Sequence, residues 1–402
     1  MVEFSIKLPF HKTVSRFLSE IKQELEKLSQ EGRRKELIAT AFRGGGLVEF
    51  KGKKLLDFTN WDALDLNQSA ELKRASQMVI ESAGIGAGSS RTLSGSSAYH
   101  ARSEFRISKF LGMESALVFS SKNQAVFSLL TAMLGERDVI FFDELTQSPV
   151  IDAAYLVGAS AVAVKSGELA AASEEVQRYQ YAQRRFLYIE SLSPLTGRKS
   201  NLPSLWNFAA ANNLEILLDE SYALGLIGAR GAGVLEEFCS ALLHPPLCVI
   251  SDLSLAIGCY GACIAGSHDL ISYLINRSRT LSHESALPPA LMRSIEAALD
   301  ILELKLAGRQ RLLIIAKRIA EALGGPGYLL DESVISPIVS VTFKGVSKAF
   351  SFAEALFQRG VLVDVIPYSA PLADATAVRF LPHVSHTERQ IGDLMAAISD
   401  IA

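Results

Sequence analysis

Leu217-Leu218-Asp219-Glu220-Ser221-Tyr222-Ala223-Leu224-Gly225 is the stretch on which the fold turns. Just ahead of it, Glu215-Ile216-Leu217-Leu218 is a short apolar run bounded by polar residues, the pattern of a buried strand. An aspartate at the carboxyl end of such a strand stands at the rim of the crevice where open α/β sheets place their ligands. A carboxylate there can pair with a cationic ring nitrogen and keep a pyridine-type cofactor an electron sink. That chemistry needs a second part, a lysine some tens of residues later that holds the cofactor as a Schiff base. No lysine occurs between Lys199 and Lys305.

On either side of this stretch the pattern alternates helix and strand. Helices are expected near Glu71–Ser82, over Ala101–Leu111 and from about Asn123. Ser115–Phe119, Asp138–Phe142, Ser160–Val164 and Phe186–Ile189 are short buried-type strands. Strands spaced by helix-length segments make a mostly parallel sheet with right-handed crossovers. A long helix follows Leu291 to about Leu306, and beyond it lie strands at Ile338–Phe343, Val361–Val365 and Val378–Leu381. Helices near Ser351–Arg359 and Thr387–Ile398 complete a smaller α+β unit. Upstream, Val14, Phe17, Leu18, Ile21, Leu25 and Leu28 give Lys12–Ile38 the spacing of an amphipathic helix, either a surface helix or an arm packed on a partner. Val48–Phe50 and Lys54–Phe58 read as two strands around a turn at Lys51–Lys53. The expected divisions are an arm over 1–58, a large α/β domain over 59–295 with a seven-stranded sheet, and a C-terminal domain over 296–402.

Composition narrows the function. The 402 residues carry a net charge of −3 and are 49% hydrophobic, with a pI near 6.2, so nothing favours nucleic acid or an anionic membrane as partner. No uncharged apolar stretch reaches the length of a membrane span. Cys239, Cys248, Cys259 and Cys263 lack paired CxxC spacing and fit no zinc pattern, so no metal site is expected. Without a secretory signal in Met1–His11 they read as reduced thiols in a cytoplasmic protein. The glycine-rich Gly84–Ser90 follows a helix rather than a strand, which removes a dinucleotide-binding reading, and there is no NTP-binding loop.

At Gly88-Ser89-Ser90-Arg91-Thr92-Leu93-Ser94-Gly95, then His100, Glu104 and Phe110-Leu111-Gly112, the sequence resembles the α-oxoamine synthase family. These are fold-type I, pyridoxal phosphate (PLP) dependent enzymes that condense an amino acid with an acyl-CoA and release CO2. The likeness runs on through Asn60, Glu190, Gly197, Asp219, Gly225–Gly233, Leu287-Pro288-Pro289, Arg379 and His386-Thr387, nearly the whole chain. It implies a fold-type I aminotransferase-like architecture with PLP as cofactor. By resemblance, Asp219 is the partner of the pyridine nitrogen and Arg379 the grip on the amino-acid carboxylate. Asn60 is a second substrate-binding group, while His100 and Glu190 lie near cofactor and substrate. Structural readings stay open beside these: a strand-end aspartate caps helices, Arg379 fits an ion pair, and His100 fits a core hydrogen bond.

The chemistry-bearing positions depart from the family. Ser251-Asp252-Leu253-Ser254-Leu255-Ala256-Ile257-Gly258-Cys259-Tyr260-Gly261 aligns with its Schiff-base segment and sets Leu255 at the lysine position. A leucine forms no aldimine and takes no proton, so covalent PLP binding is expected to be absent. The ring-stacking histidine is replaced by Gln147, the histidine after the aspartate by Tyr222, and a serine near the cofactor hydroxyl by Pro194. The phosphate turn is shortened to Ser120-Ser121-Lys122-Asn123-Gln124, where Ser121, Asn123 and a helix N-terminus bearing Lys122 still suit an anion. Ser285 stands where a partner subunit's threonine contacts phosphate.

The family includes pairs in which a lysine-lacking subunit joins a lysine-bearing one. The leading expectation is therefore a degenerate, non-catalytic homologue acting as a structural or regulatory partner, in a homodimer or with a lysine-bearing paralogue. The alternatives are an acyltransferase that binds PLP non-covalently, and a module that uses the pocket for a small carboxylate or acyl-CoA through Arg379 and Lys122.

Overall fold

A computed structural model of the chain describes residues 15–30, 34, 37, 39–146, 149–165, 168–242, 244–324, 336–367 and 375–401. The N-terminal amphipathic segment forms a helix over Arg16–Gln30 that buries none of its residues, leaving Phe17, Leu18, Ile21 and Leu25 exposed. Residues 12–14, 31–33, 35, 36 and 38 of the expected helix lie outside the described residues.

Three strands come next: β1 (Thr40–Gly44), β2 (Leu47–Phe50) and β3 (Lys53–Asp57), paired antiparallel. The β2–β3 turn holds Lys51 and Gly52 at φ 51° and 73°, the left-handed pair that suits the twist of a tight hairpin. β1 was not legible in the sequence.

The central sheet contains β4 (Ser115–Phe119), β5 (Val139–Asp143), β6 (Ser160–Val164), β7 (Arg185–Glu190), β8 (Glu215–Asp219), β9 (Cys248–Asp252) and β10 (Ala262–Gly266). Their order is β4-β10-β9-β8-β7-β5-β6, and only β10 runs against its neighbours. Successive residues of each strand enter opposite cores, because side chains alternate across a sheet. Phe141, Leu187, Ile189 and Leu218 pack on one face, and Phe142, Phe186, Tyr188 and Leu217 on the other. Burying such a side chain stabilises by roughly 1.5–3 kcal/mol, so both faces are firmly specified. The four adjoining parallel strands β5, β7, β8 and β9 all finish on an acid: Asp143, Glu190, Asp219 and Asp252. The carboxyl edge of the sheet is therefore a row of carboxylates.

The long helix expected from Leu291 to about Leu306 runs over Pro289–Glu303, and a further helix that the sequence pattern did not mark, Leu306–Leu323, follows it. The second is amphipathic and buries Leu312, Ile315, Ala316, Ile319 and Leu323. The single strand expected over 361–365 divides at Val363. After β11 (Val339–Lys344), β12 (Val361–Leu362) pairs parallel with β3, whereas β13 (Asp364–Pro367) joins β14 (Ala375–Phe380) in the three-stranded sheet β11-β14-β13. Phe58 shares a core with Val361, Val378 and Phe380, so the hairpin is built into the C-terminal unit. No helix among the described residues is long and apolar enough to cross a membrane.

Candidate cofactor site

Asp219 ends β8 fully buried, directly in register with Glu190 on β7. Its Oδ1 accepts the Ser221 backbone N–H at 2.8 Å, and its Oδ2 accepts the Tyr188 hydroxyl. The Lys122 ammonium also lies on Oδ2, at 2.7 Å, with Glu190 Oε1 at 3.6 Å and the centroid of the Tyr222 ring at 4.6 Å. Burial opposes the charge on this amine, but Asp219, Tyr222 and Glu190 outweigh it and hold Lys122 protonated well above the ordinary lysine range. Burial pushes the Glu190 carboxyl up to about 7, against the pull of Lys122.

The sequence suggested that Lys122 would meet an anion at the helix N-terminus. Instead the side chain turns inward and directs its charge to the strand-end acids. Lys122 opens the helix Lys122–Met133, whose cap is Ser121: its hydroxyl accepts the Gln124 N–H at 3.2 Å. Gln124 folds back in turn, and its Oε1 accepts the Ser120 backbone N–H and hydroxyl, both at 2.7 Å. Asn123 is exposed. Ser285 is exposed too and forms a bridge with Ser90, continued by the Ala286 N–H donating to Ser89 O at 2.9 Å. Gln147 lies outside the described residues.

Leu255 is half-buried in the loop between β9 and β10. With Asn60, Trp61, Asp62, Ser254 and Cys259 it lines a cleft of about 260 Å³. Asn60 Oδ1 accepts the Asp62 N–H at 3.1 Å. Two glycines seat the Leu255 loop. A Cβ on Gly225 would fall 2.9 Å from Ala256 Cβ, and one on Gly258 would fall 2.6 Å from the Asn67 nitrogen.

Arg379 and His100 both have internal partners, and each keeps one buried side-chain nitrogen without a hydrogen bond. Arg379 gives one arm of its fork to Asp364 Oδ2 at 2.7 Å and the other to Pro194 O at 2.8 Å, with Trp61 stacked 4.5 Å from the guanidinium. Its carboxylate partner is thus internal. His100 is buried in the first turn of the helix Ala98–Leu111, where Nδ1 meets the Ser97 hydroxyl at 2.9 Å and its backbone N–H at 3.2 Å. Burial and the nearby Arg91 drop its pKa to about 4, which keeps the ring neutral.

Nothing in the sequence pointed to a role for Glu220. It is fully buried and accepts the Ser191 hydroxyl at 2.5 Å and the N–H groups of Val234 and Leu235 at 3.0 and 2.7 Å. It ties the segment after β8 to the helix Val234–Phe238. Among the described residues, no group of three or more His, Cys, Asp or Glu is arranged to hold a metal ion.

These residues do not fit PLP. The carboxylate that would receive the pyridine nitrogen already carries an ammonium at 2.7 Å. Two N–H groups of the turn that would hold the phosphate are taken by Ser121 and Gln124 side chains. The cleft residue at the Schiff-base position is a hydrocarbon.

Comparison with known proteins accords with the fold. A family model described as aminotransferase class I and II matches residues 53–398. The chain is 32% identical over 385 residues to a putative 8-amino-7-oxononanoate synthase of Phenylobacterium zucineum, covering 93% of this chain and 95% of that one. It is 28% identical over 353 residues to the 8-amino-7-oxononanoate synthase of Methylococcus capsulatus, covering 88% and 90%. Among solved structures it is similar to Sphingomonas wittichii serine palmitoyltransferase, with a TM-score of 0.86 at 20% identity over 97% of this chain and 98% of that one.

Proposed function

The chain belongs to the aminotransferase class I and II family, in its PLP-dependent α-oxoamine synthase branch, and from that premise we propose that it is a non-catalytic member that holds no covalent PLP. The observation that carries this reading is the Lys122 ammonium seated on Asp219, where the family places a cofactor ring. Leu255 supports it from the other end of the chemistry, since a hydrocarbon neither anchors a cofactor nor moves a proton. Losing both functions costs many orders of magnitude in rate.

The function left to such a chain is that of a structural or regulatory partner, paired with a second copy or with a lysine-bearing relative. Large apolar side chains remain exposed on adjoining segments (Met78, Ile80, Ile85, Leu93 and Phe105) as well as on the unburied N-terminal helix, and exposed apolar surface of this kind suits a subunit interface. The cysteines of the described structure are free thiols, in keeping with a place in the cytoplasm.

The test is an absorbance scan of the purified protein after incubation with PLP and desalting, followed by borohydride reduction and mass spectrometry. The expected result is no band at about 410–430 nm and no reduced adduct. A stoichiometric adduct on any lysine overturns the reading.

A further inference from the structure

Lys122 stands where a helix disfavours a cation. The N-terminus of a helix carries partial positive charge, which a lysine there does not complement. This one is buried in the first turn of Lys122–Met133, and each direction its ammonium faces holds an electron-rich group: Asp219 at 2.7 Å, Glu190 at 3.6 Å and the Tyr222 ring face at 4.6 Å. Asp143 and Asp252 end the flanking strands but are half-buried and accept the Leu145 and Ser254 N–H groups, so the demand for a cation falls on Asp219 and Glu190. The buried pair Asp219 and Glu190 needs a cation or a proton between its carboxyls.

A pyridinium and an ammonium are alike in what matters to Asp219. Both carry one positive charge and donate N–H to a carboxylate oxygen. Asp219 Oδ2 is buried and already receives the Lys122 amine and the Tyr188 hydroxyl, so it cannot take a ring nitrogen as well. The turn that delivers Lys122 closes its own donors through Ser121 and Gln124, so the same short stretch fills the ring end and blocks the phosphate end.

We propose that Lys122 is a tethered stand-in for the cofactor's ring cation, neutralising the acidic edge of the sheet from within and thereby excluding PLP. The proposal rests on the reading that Leu255 has already removed the covalent anchor, and adds a second, independent lock. Restoring the lysine at position 255 is then insufficient, because the ring still has nowhere to sit.

The experiment compares wild type, Leu255→Lys, Lys122→Ala and the double variant, using PLP with borohydride trapping and peptide mapping. In parallel, thermal shift is read with 4′-deoxypyridoxine 5′-phosphate, which lacks the aldehyde and reports non-covalent binding alone. The double variant is expected to carry at least about tenfold more adduct at residue 255 than Leu255→Lys, and Lys122→Ala is expected to gain a Tm rise with the aldehyde-free analogue that wild type lacks. Leu255→Lys labelled as fully as the double variant overturns the proposal, as does a folded double variant that stays unlabelled. Should the Lys122→Ala chains not fold, their refolding is read in methylammonium chloride against sodium chloride. Recovery confined to the organic cation supports the tethered-cation role, and its absence overturns it. The two readings fail separately: an adduct on wild type sinks the non-catalytic assignment, whereas labelling of Leu255→Lys alone sinks only the second lock.

Discussion

Glu190 and Asp219 face each other in register on neighbouring parallel strands, and the Lys122 ammonium bridges them, 3.6 and 2.7 Å from their nearest oxygens. Two carboxylates abreast at the inter-strand spacing of about 4.8 Å repel unless a cation or a proton intervenes. Here both do. The amine satisfies Asp219, and burial raises Glu190 to a pKa of about 7, so that it is partly protonated at neutral pH.

Removing the amine should therefore be costly. Lys122→Met leaves Asp219 ionised, buried and without a cation, and breaking a buried pair from one side costs about 3–5 kcal/mol. Lys122→Met/Asp219→Leu should recover part of that loss, because neither charge is then buried, although the Tyr188 hydroxyl and Ser221 N–H lose their acceptor. Urea denaturation reads both. A loss under about 1 kcal/mol for Lys122→Met would show that the acids tolerate each other without it.

Glu190 also gives a pH signature. Its folded pKa lies above the unfolded value, so below about 4.5 the group is protonated in both states and neutral in effect. Between about 4.5 and 7 the native state holds a proton that the unfolded state has lost, so stability falls as pH rises through that window. Glu190→Gln removes this dependence and should gain on wild type by up to about 3 kcal/mol between pH 4.5 and 7.5, at roughly 1.4 kcal/mol per unit. The comparison with the variant is essential, because His100 and His386, both lowered to about 4 chiefly by burial, act in the opposite sense. They stay neutral in the fold while the unfolded chain protonates below about 6.5, and so add stability as pH rises. An unchanged wild-type-minus-variant difference across the window would place the raised carboxyl elsewhere.

What the sequence disclosed follows from how local each signal is. The central strands were legible because an apolar run buried on both faces needs no partner to be recognised, and Ser115–Phe119 and Ser160–Val164 fall where the pattern put them. Val361–Val365 looked like one strand because nothing local marks Val363 as the point where the chain passes from β12 to the C-terminal sheet. At the site, Asp219 was visible from its strand end alone. The inward turn of Lys122 was not, since it depends on which strands become neighbours. One signal could have found it: Glu190 and Asp219 each close an apolar run, and two buried strand-end acids on neighbouring strands call for a cation from elsewhere in the chain. Arg379 likewise matched a carboxylate grip by resemblance, while its partner Asp364 entered view only through the β13–β14 register.

That register leads to a third expectation. With its two terminal nitrogens held by Pro194 O and Asp364, Arg379 has only its buried Nε without a partner to offer an amino-acid carboxylate. Millimolar glycine, alanine or serine should leave the wild-type Tm unchanged. Asp364→Ala should cost about 2 kcal/mol for the lost charge-assisted bond while making the Tm responsive to those ligands. A wild-type shift with any of the three would mean that the Asp364 bond yields to substrate.

The Leu255 loop supplies the last test, because its position depends on a residue with no side chain. Gly258 has φ +68°, and a Cβ there would meet the Asn67 nitrogen at 2.6 Å and Asp62 Oδ1 at 2.9 Å. Neither neighbour is free to move. The Asp62 carboxylate accepts the N–H groups of Leu66 and Asn67 at 2.9 and 3.0 Å, fixing the wall of the cleft opposite Leu255. Gly258→Ala thus combines positive-φ backbone strain with a backbone collision, and Gly112→Ala separates the two: Gly112 is left-handed at φ +70° and ψ 28°, and a Cβ added there would meet nothing within 4 Å. The Gly112 variant should lose about 1–2 kcal/mol from conformation alone, and the Gly258 variant at least about 1–3 kcal/mol more from overpacking. Equal losses in chemical denaturation would mean that the loop retreats freely from Asp62, and that the cleft beside Leu255 is not held by this contact.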